Sequence, residues 1–170
     1  SEVLRTTREF DQDFYPPGTR DLSDIPARLR HMDELGADAQ ICYSTFWLID
    51  PVQDPVREAA MARSYNRWAA EGTAPSKGRI RWMIKAPARM MDRALEELEF
   101  GAKHGAAGVE LTGYKYNISS GSPYWWPLYE KAQDLGLAIG FHIGASSQDY
   151  APLPKDTFYR TLSRVPGAFA

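Results

Sequence analysis

The apolar positions of the chain follow two kinds of spacing. At 23–35 they recur at the helical period, with Ser23 in the capping position and Gly36 after the last apolar residue, which predicts a helix. The short apolar run of Ala39, Ile41, Cys42 and Tyr43 has the length of a buried strand. Asp54 followed by proline is typical of a helix start, so we predict a second helix over 54–71.

The same cycle of strand and helix then repeats along the chain. Further strands are predicted at 80–84, 108–111 and 137–141, with helices through 91–102 and 125–135 and a candidate helix at 156–163. Strands that alternate with helices in this way indicate βαβ units and a parallel sheet. We count four strands, whereas a closed eight-stranded barrel needs about 250 residues. We therefore expect either part of a longer chain or a smaller open sheet whose edges a partner covers.

The connections between the predicted elements are unequal in length. Most helices pass into the next strand through little more than a glycine, whereas three of the strands run into long loops. Ligands of parallel α/β folds lie at the carboxyl ends of the strands. We therefore expect a site lined by residues 44–47, 85, 112–116 and 142–147.

Composition and charge narrow the class of protein. Hydrophobic residues make up 44% of the chain and charged residues 25%, as in proteins that fold around a core. The net charge of -2 provides no basic surface for nucleic acid or an anionic membrane. With no transmembrane run and no signal peptide at its start, we expect a cytoplasmic protein. The single cysteine, Cys42, forms no internal disulfide and is expected to be a buried structural thiol.

His142 is the first candidate for chemistry. It follows directly on a predicted buried strand and begins a glycine-containing turn, where a neutral imidazole could bind a divalent metal or transfer a proton. The alternative is a hydrogen-bonded histidine at a strand end. His31 and His104 lie near the carboxyl ends of predicted helices, where a cation is favoured, and we expect structural roles for both.

Three residues after predicted strands are candidates for a substrate pocket. Trp47 and Tyr114 could form the walls of a pocket for a planar acid, or equally pack their loops onto the sheet. Lys85 could bind an anionic group of the substrate, although we expect its side chain to be solvated instead. The sequence leaves open which side of its strand Glu110 faces.

Other features point away from several functions. Trp125 and Trp126 enter a predicted helix, and we expect both to pack in the core. The chain contains no glycine-rich phosphate loop, no Cys-x-x-Cys, no His-Glu-x-x-His and no Gly-x-Ser-x-Gly motif. Nucleotide binding and serine hydrolysis therefore have no support.

From 21 to 144 the chain resembles the amidohydrolase-2 branch of the amidohydrolase superfamily, which includes aminocarboxymuconate semialdehyde decarboxylase and related aromatic acid decarboxylases. The resemblance rests on the order and spacing of several segments. These segments are 28–39 (RLRHMDELGADA), 41–45 (ICYST), 62–66 (ARSYN), 105–111, 126–132 (WPLYEKA), 135–137 and 141–142.

This resemblance implies a TIM-like (β/α) barrel, with residues 1–22 as an N-terminal loop segment and 23–170 as the central part of the barrel. It also implies a divalent metal, zinc first and manganese as the alternative, with His142 as one ligand. The expected activity is hydrolysis or decarboxylation of a small organic acid or amide through a metal-bound water. The expected binding partner is then a small-molecule substrate, and formation of a homo-oligomer is possible.

The chain departs from the family pattern in its metal ligands. The His-x-His pair of the first strand is not in this sequence, and a catalytic zinc takes three protein ligands. We therefore expect the chain to lack a full metal site by itself. A non-catalytic α/β binding domain on the same scaffold is the alternative function, and a metal-dependent isomerase ranks third because only Glu110 offers a carboxylate near a strand end.

Overall fold

The computed structural model describes Thr19, Trp47 and the ranges 22–44, 52–116 and 118–142, with the side chain of Tyr114 outside that description. The N-terminal loop segment predicted at 1–22 lies outside the described residues except for Thr19 and Leu22. The same holds for the candidate helix at 156–163 and for the expected site residues that follow His142.

The described elements alternate as the sequence predicts. In chain order they are α1 (Ile25–Glu34), β1 (Gln40–Cys42), α2 (Pro55–Thr73), a 3-10 turn (Ala74–Ser76), β2 (Ile80–Lys85), α3 (Met91–Lys103), β3 (Gly108–Thr112), β4 (Tyr114–Lys115), β5 (Ile118–Ser119), a second 3-10 turn (Pro123–Trp125), α4 (Trp126–Asp134) and β6 (Ala138–His142).

Aspartates cap the first two helices. The side chain of Asp54 accepts a hydrogen bond from the backbone N–H of Arg57 at 2.8 Å, which confirms the predicted start of α2. Helix α1 is capped by Asp24, which accepts from Ala27 N–H at 2.8 Å, so the prediction of Ser23 as its cap is wrong by one residue. Aspartate and serine are both good caps, and the sequence did not distinguish between two adjacent ones.

Four of the strands form one parallel sheet in the order β1-β2-β3-β6. Neighbours in this order follow one another along the chain apart from the short β4–β5 hairpin, and the order never reverses as it does in doubly wound sheets. Helices α1 to α4 all pack on one face of the sheet, as in a (β/α) barrel. The predicted fold class, a TIM-like barrel represented by about four parallel strands, is confirmed.

The main core lies between this sheet face and the helices. Trp82 and Ile84 of β2 and Val109 of β3 contribute fully buried side chains to it. Trp125 is 1% exposed, as expected, but Trp126 is 57% exposed and the expectation that it packs in the core is wrong. Trp126 begins α4, where the helix turns it away from the sheet. Within the described ranges, no helix is long and apolar enough to cross a membrane.

The opposite face of the sheet carries the polar residues. Because side chains alternate along a strand, Lys85 lies on the face opposite to Ile84. The register pairs Lys85 with Glu110 and Thr112 with His142, so these four residues share that face. The strands are parallel, and all four residues therefore lie toward one rim of the sheet.

Candidate active site

A buried ion pair stands at the carboxyl end of β2 and β3. Lys85 Nζ lies 2.5 Å from Glu110 Oε1, and the two side chains are 6% and 1% exposed. The expectation of a solvated Lys85 is therefore wrong. Its carboxylate partner lies on the neighbouring strand, and the pairing register that joins them is not visible in a sequence. The open question about Glu110 is also answered, because it faces the same side as Lys85.

Burial changes the proton affinity of groups around this pair. It lowers the pKa of Lys85 to about 8, against the opposing effect of the Glu110 carboxylate and with a smaller contribution from the Lys115 ammonium. It also raises the pKa of the Tyr65 hydroxyl above its usual range, with the negative charge of Glu110 adding to the rise. The lysine can thus change its charge close to neutral pH.

The backbone of Lys85 is held by a side chain of α2. Asn66 is fully buried, and its Oδ1 accepts the N–H of Lys85 at 2.9 Å while its Nδ2 donates to the carbonyl of Lys85 at 3.0 Å. The same Nδ2 donates to Glu97 Oε2 at 2.9 Å. Arg67 donates to both oxygens of Glu97, at 2.6 and 3.0 Å. This chain of contacts from α3 through α2 fixes the end of β2.

A second buried carboxylate, Glu58 in the first turn of α2, connects the loops around the rim. Arg89 Nη1 donates to its Oε2 at 3.1 Å, and the hydroxyl of Tyr116 donates to its Oε1. Lys115 Nζ lies 3.9 Å from the same Oε1. The guanidinium of Arg89 also stacks 4.1 Å above the ring of Tyr116. Glu58 thus holds together the segments that follow β2 and β3.

These groups surround one small cavity. Lys85, Glu110 and Glu58 line it, together with Trp47, Thr112, Lys115 and four apolar residues, Ala62, Ala86, Pro87 and Leu111. Its volume is about 10 Å³, the space of roughly one water molecule. Trp47, a predicted pocket residue, is 7% exposed and lines the same cavity as Lys85. The side chain of Tyr114, the third predicted pocket residue, lies outside the described part.

His142 ends β6 at the same rim, half-buried and outside the lining of that cavity. Its ring centroid is 5.5 Å from that of Tyr43. Tyr43 reaches across the sheet because residue 140 is glycine: a Cβ there would lie 2.6 Å from the hydroxyl oxygen of Tyr43. An imidazole at this rim has the donor chemistry that a transition metal requires. Over the described ranges, however, no group of three His, Cys, Asp or Glu residues could hold a metal ion.

The other candidate residues have structural surroundings. Cys42 is half-buried, Arg28 Nη2 lies 3.3 Å from its sulfur, and burial raises the pKa of the thiol, which disfavours a nucleophile. His104 follows α3, with its ring stacked on Phe100 and its Nδ1 2.7 Å from the Phe100 carbonyl. His31 lies in the last turn of α1, as expected.

Comparisons with known proteins place this geometry in context. The family model described as Amidohydrolase matches residues 11–167. A gamma-resorcylate decarboxylase from Polaromonas sp. strain JS666 is 28% identical over 164 residues, which are 91% of this chain and 48% of the relative. The chain thus spans about half the length of the curated relative that it matches.

Solved structures of decarboxylases are also similar to this chain over part of their length. A dihydroxybenzoic acid decarboxylase from Polaromonas sp. JS666, with bound manganese and the inhibitor 2-nitroresorcinol, is 25% identical with a TM-score of 0.60, over 80% of this chain and 41% of that chain. A 2,6-dihydroxybenzoate decarboxylase from Rhizobium is 23% identical with a TM-score of 0.60, over 81% of this chain and 42% of that chain. The second similarity supports the fold alone.

Proposed function

The chain belongs to the Amidohydrolase family, and from this we propose that it contributes to a metal-dependent decarboxylase of small aromatic acids. Decarboxylation is preferred over hydrolysis because the curated relative and the manganese-bound structure both carry decarboxylase names. The observation that carries the proposal is the placement of His142 and Lys85 at the carboxyl rim of one sheet, on the same face.

We propose His142 as one ligand of a divalent ion. When bound, such an ion acts as a Lewis acid on an oxygen of the substrate. Manganese is the first candidate, because the 25% identical structure contains it, whereas zinc, the first expectation from the sequence, has no such support. The remaining ligands would come from beyond the described residues.

The residues around the small cavity would bind and orient the acid. The Lys85 ammonium is a compact positive charge, suited to an oxyanion of the substrate. Trp47 offers a flat apolar wall for an aromatic ring, and Tyr114, two residues after the end of β3, is proposed as a second one. Burial of these groups separates the charged pair from bulk solvent, and this strengthens the electrostatic interactions inside the pocket.

Carbon dioxide release from 2,6-dihydroxybenzoate and a panel of other aromatic carboxylic acids tests this function. It should be measured on the longest natural protein that contains this chain, supplied with manganese. Wild-type protein is expected to release carbon dioxide from at least one acid, and His142→Ala is expected to abolish the release. The control is His104→Ala, which alters a histidine whose imidazole stacks on Phe100 of the preceding helix, away from the rim. Equal rates for wild type and His142→Ala would refute the proposal.

A non-catalytic binding domain is the second candidate. The observation that favours it is the absence of a three-ligand metal group within 22–44, 52–116 and 118–142. It predicts that aromatic acids bind to the protein without release of carbon dioxide and that added manganese leaves their affinity unchanged.

A further inference from the structure

The small cavity beside Lys85 is closed. It has room for about one water molecule, whereas an aromatic acid is many times larger. A substrate of the proposed function therefore reaches Lys85 only if part of the cavity wall moves. The walls differ in how firmly the fold holds them, and this difference identifies the part that moves.

Most of the cavity wall is fixed by regular structure. Lys85 ends β2, and Asn66 binds both its N–H and its carbonyl. Glu110 lies in β3, which pairs with β2 on one side and with β6 on the other. Glu58 and Ala62 belong to the 19-residue helix α2, which packs on the sheet. Displacement of any of these groups would break backbone hydrogen bonds or open the core.

The wall formed by Lys115 is attached differently. Lys115 belongs to β4, which among the described strands pairs with β5 and not with the parallel sheet. The chain leaves β3 through Gly113, where a Cβ would meet no atom within 4 Å. The segment 113–116 can therefore move about Gly113 without loss of the hydrogen bonds that join the parallel strands.

Side chains hold this segment over the cavity. The hydroxyl of Tyr116 donates to the carboxylate of Glu58, whose side chain is 2% exposed, and Lys115 Nζ lies 3.9 Å from the same carboxylate. Tyr116 has a φ of 55°, in the left-handed region that residues with a bulky side chain rarely adopt. Such a conformation costs free energy and persists only where surrounding contacts hold it. The bond to Glu58 thus opposes a backbone strain that movement of the segment would release.

We propose that segment 113–116 is a lid over the Lys85 cavity and that the hydrogen bond from Tyr116 to Glu58 is its latch. The closed lid separates Lys85 and Glu110 from bulk solvent, and the open lid admits an aromatic acid. This inference rests on the proposed function in one respect, because it takes the cavity as the substrate site. It concerns access alone and needs neither a metal nor carbon dioxide release.

The rate of chemical labelling of Lys85 tests the lid. The probe is 2,4,6-trinitrobenzenesulfonate, a planar aromatic anion that reacts with unprotonated amines, and peptide mass spectrometry identifies each labelled lysine. Burial lowers the pKa of Lys85 to about 8, so an accessible Lys85 would react faster than an ordinary lysine. In wild type at pH 8 we nevertheless expect much slower labelling of Lys85 than of the exposed Lys103. Equal rates at the two lysines would overturn the lid.

Tyr116→Phe removes the latch and keeps the ring, which stacks on Trp125 and under the guanidinium of Arg89. Loss of a hydrogen bond to a buried charged group predicts roughly ten- to hundredfold faster labelling of Lys85, with the rate at Lys103 unchanged. Equal labelling of Lys85 in wild type and Tyr116→Phe would overturn the latch.

Two further variants complete the test. Tyr124→Phe is the matched control, because the hydroxyl of Tyr124 donates to the carbonyl of Ala88 and not to Glu58; it should label Lys85 at the wild-type rate. Glu58→Gln keeps an acceptor oxygen but removes the charge that attracts Lys115, so a smaller increase is expected, and this variant carries the test if Tyr116→Phe does not fold. An equal increase in Tyr124→Phe and Tyr116→Phe would also overturn the latch.

The outcomes separate this inference from the proposed function. Faster labelling in Tyr116→Phe without carbon dioxide release by wild type would refute the decarboxylase and keep the lid. Carbon dioxide release by wild type with unchanged labelling in Tyr116→Phe would do the reverse.

Discussion

Replacing Asn66 by leucine tests whether α2 fixes the end of β2, the strand that carries Lys85. Leucine has a similar size but no polar atoms, so the backbone N–H and carbonyl of Lys85 both lose their partner. Residue 66 is fully buried, so water cannot replace the lost bonds without opening the core. Glu97 loses one donor but keeps both contacts from Arg67.

The expected cost follows from these contacts. Each buried backbone group left without a partner costs about 1–3 kcal/mol, and leucine recovers part of this through its apolar surface. We expect Asn66→Leu to lower the free energy of unfolding by about 2–4 kcal/mol. For a slope of about 2 kcal/mol per molar urea, the midpoint of unfolding moves down by about 1–2 M.

Urea unfolding followed by circular dichroism measures this shift. Ser64→Ala is the control, because Ser64 is exposed on the same helix; its midpoint should stay within the range typical of surface substitutions, about 0.5 kcal/mol. A midpoint for Asn66→Leu equal to that of Ser64→Ala would refute the reasoning that the amide of Asn66 holds Lys85 in place.

Three further predictions concern stability. Folding lowers the pKa of Lys85 to about 8, so above that pH the unfolded chain binds more protons than the folded chain. The free energy of unfolding of the wild type should therefore rise between about pH 8 and 10.4 relative to that of Lys85→Met. Parallel plots of the free energy of unfolding against pH for the two proteins would exclude the effect. Trp125 is buried and Trp126 is exposed, so Trp125→Ala should lower the free energy of unfolding, measured by thermal unfolding, by about 3–5 kcal/mol and Trp126→Ala by under about 1 kcal/mol. Equal decreases for the two variants would contradict this difference in burial. Gly101→Ala places a Cβ 2.3 Å from Cδ1 of Ile84. Although alanine has a better helix propensity than glycine, this clash should lower the free energy of unfolding by about 1–3 kcal/mol. A variant more stable than the wild type in thermal unfolding would contradict the close packing of α3 on β2.

The architecture could be predicted because it depends on local patterns. Apolar periodicity identifies α1 to α4, with the capping Asp54 as a further signal for α2, and short apolar runs identify the strands of the parallel sheet. The register confirms that Lys85 and His142 lie toward one rim of a parallel sheet. That the loops at this rim form a binding site stays a prediction. The β4–β5 hairpin at 114–119 was not predicted, since strands of two residues are too short to show a periodicity.

The contacts of the site could not be predicted because they depend on pairing between distant segments. From the sequence alone Lys85 is expected to be solvated, because only the pairing register of β2 and β3 shows that Glu110 lies opposite to it. Glu58 and Asn66 occupy ordinary helical positions, and no local signal distinguishes their buried carboxylate and amide from exposed ones. The burial that makes these residues important comes from neighbours 19 to 58 positions away along the chain.

Metal content tests directly whether His142 holds a divalent ion at the carboxyl rim of the sheet. The longest natural protein that contains this chain should be purified, loaded with manganese, dialysed and analysed by elemental mass spectrometry. Near-stoichiometric metal is expected in wild type and in His104→Ala, and most of it should be lost in His142→Ala. Equal metal content in His142→Ala and wild type would contradict this role of His142.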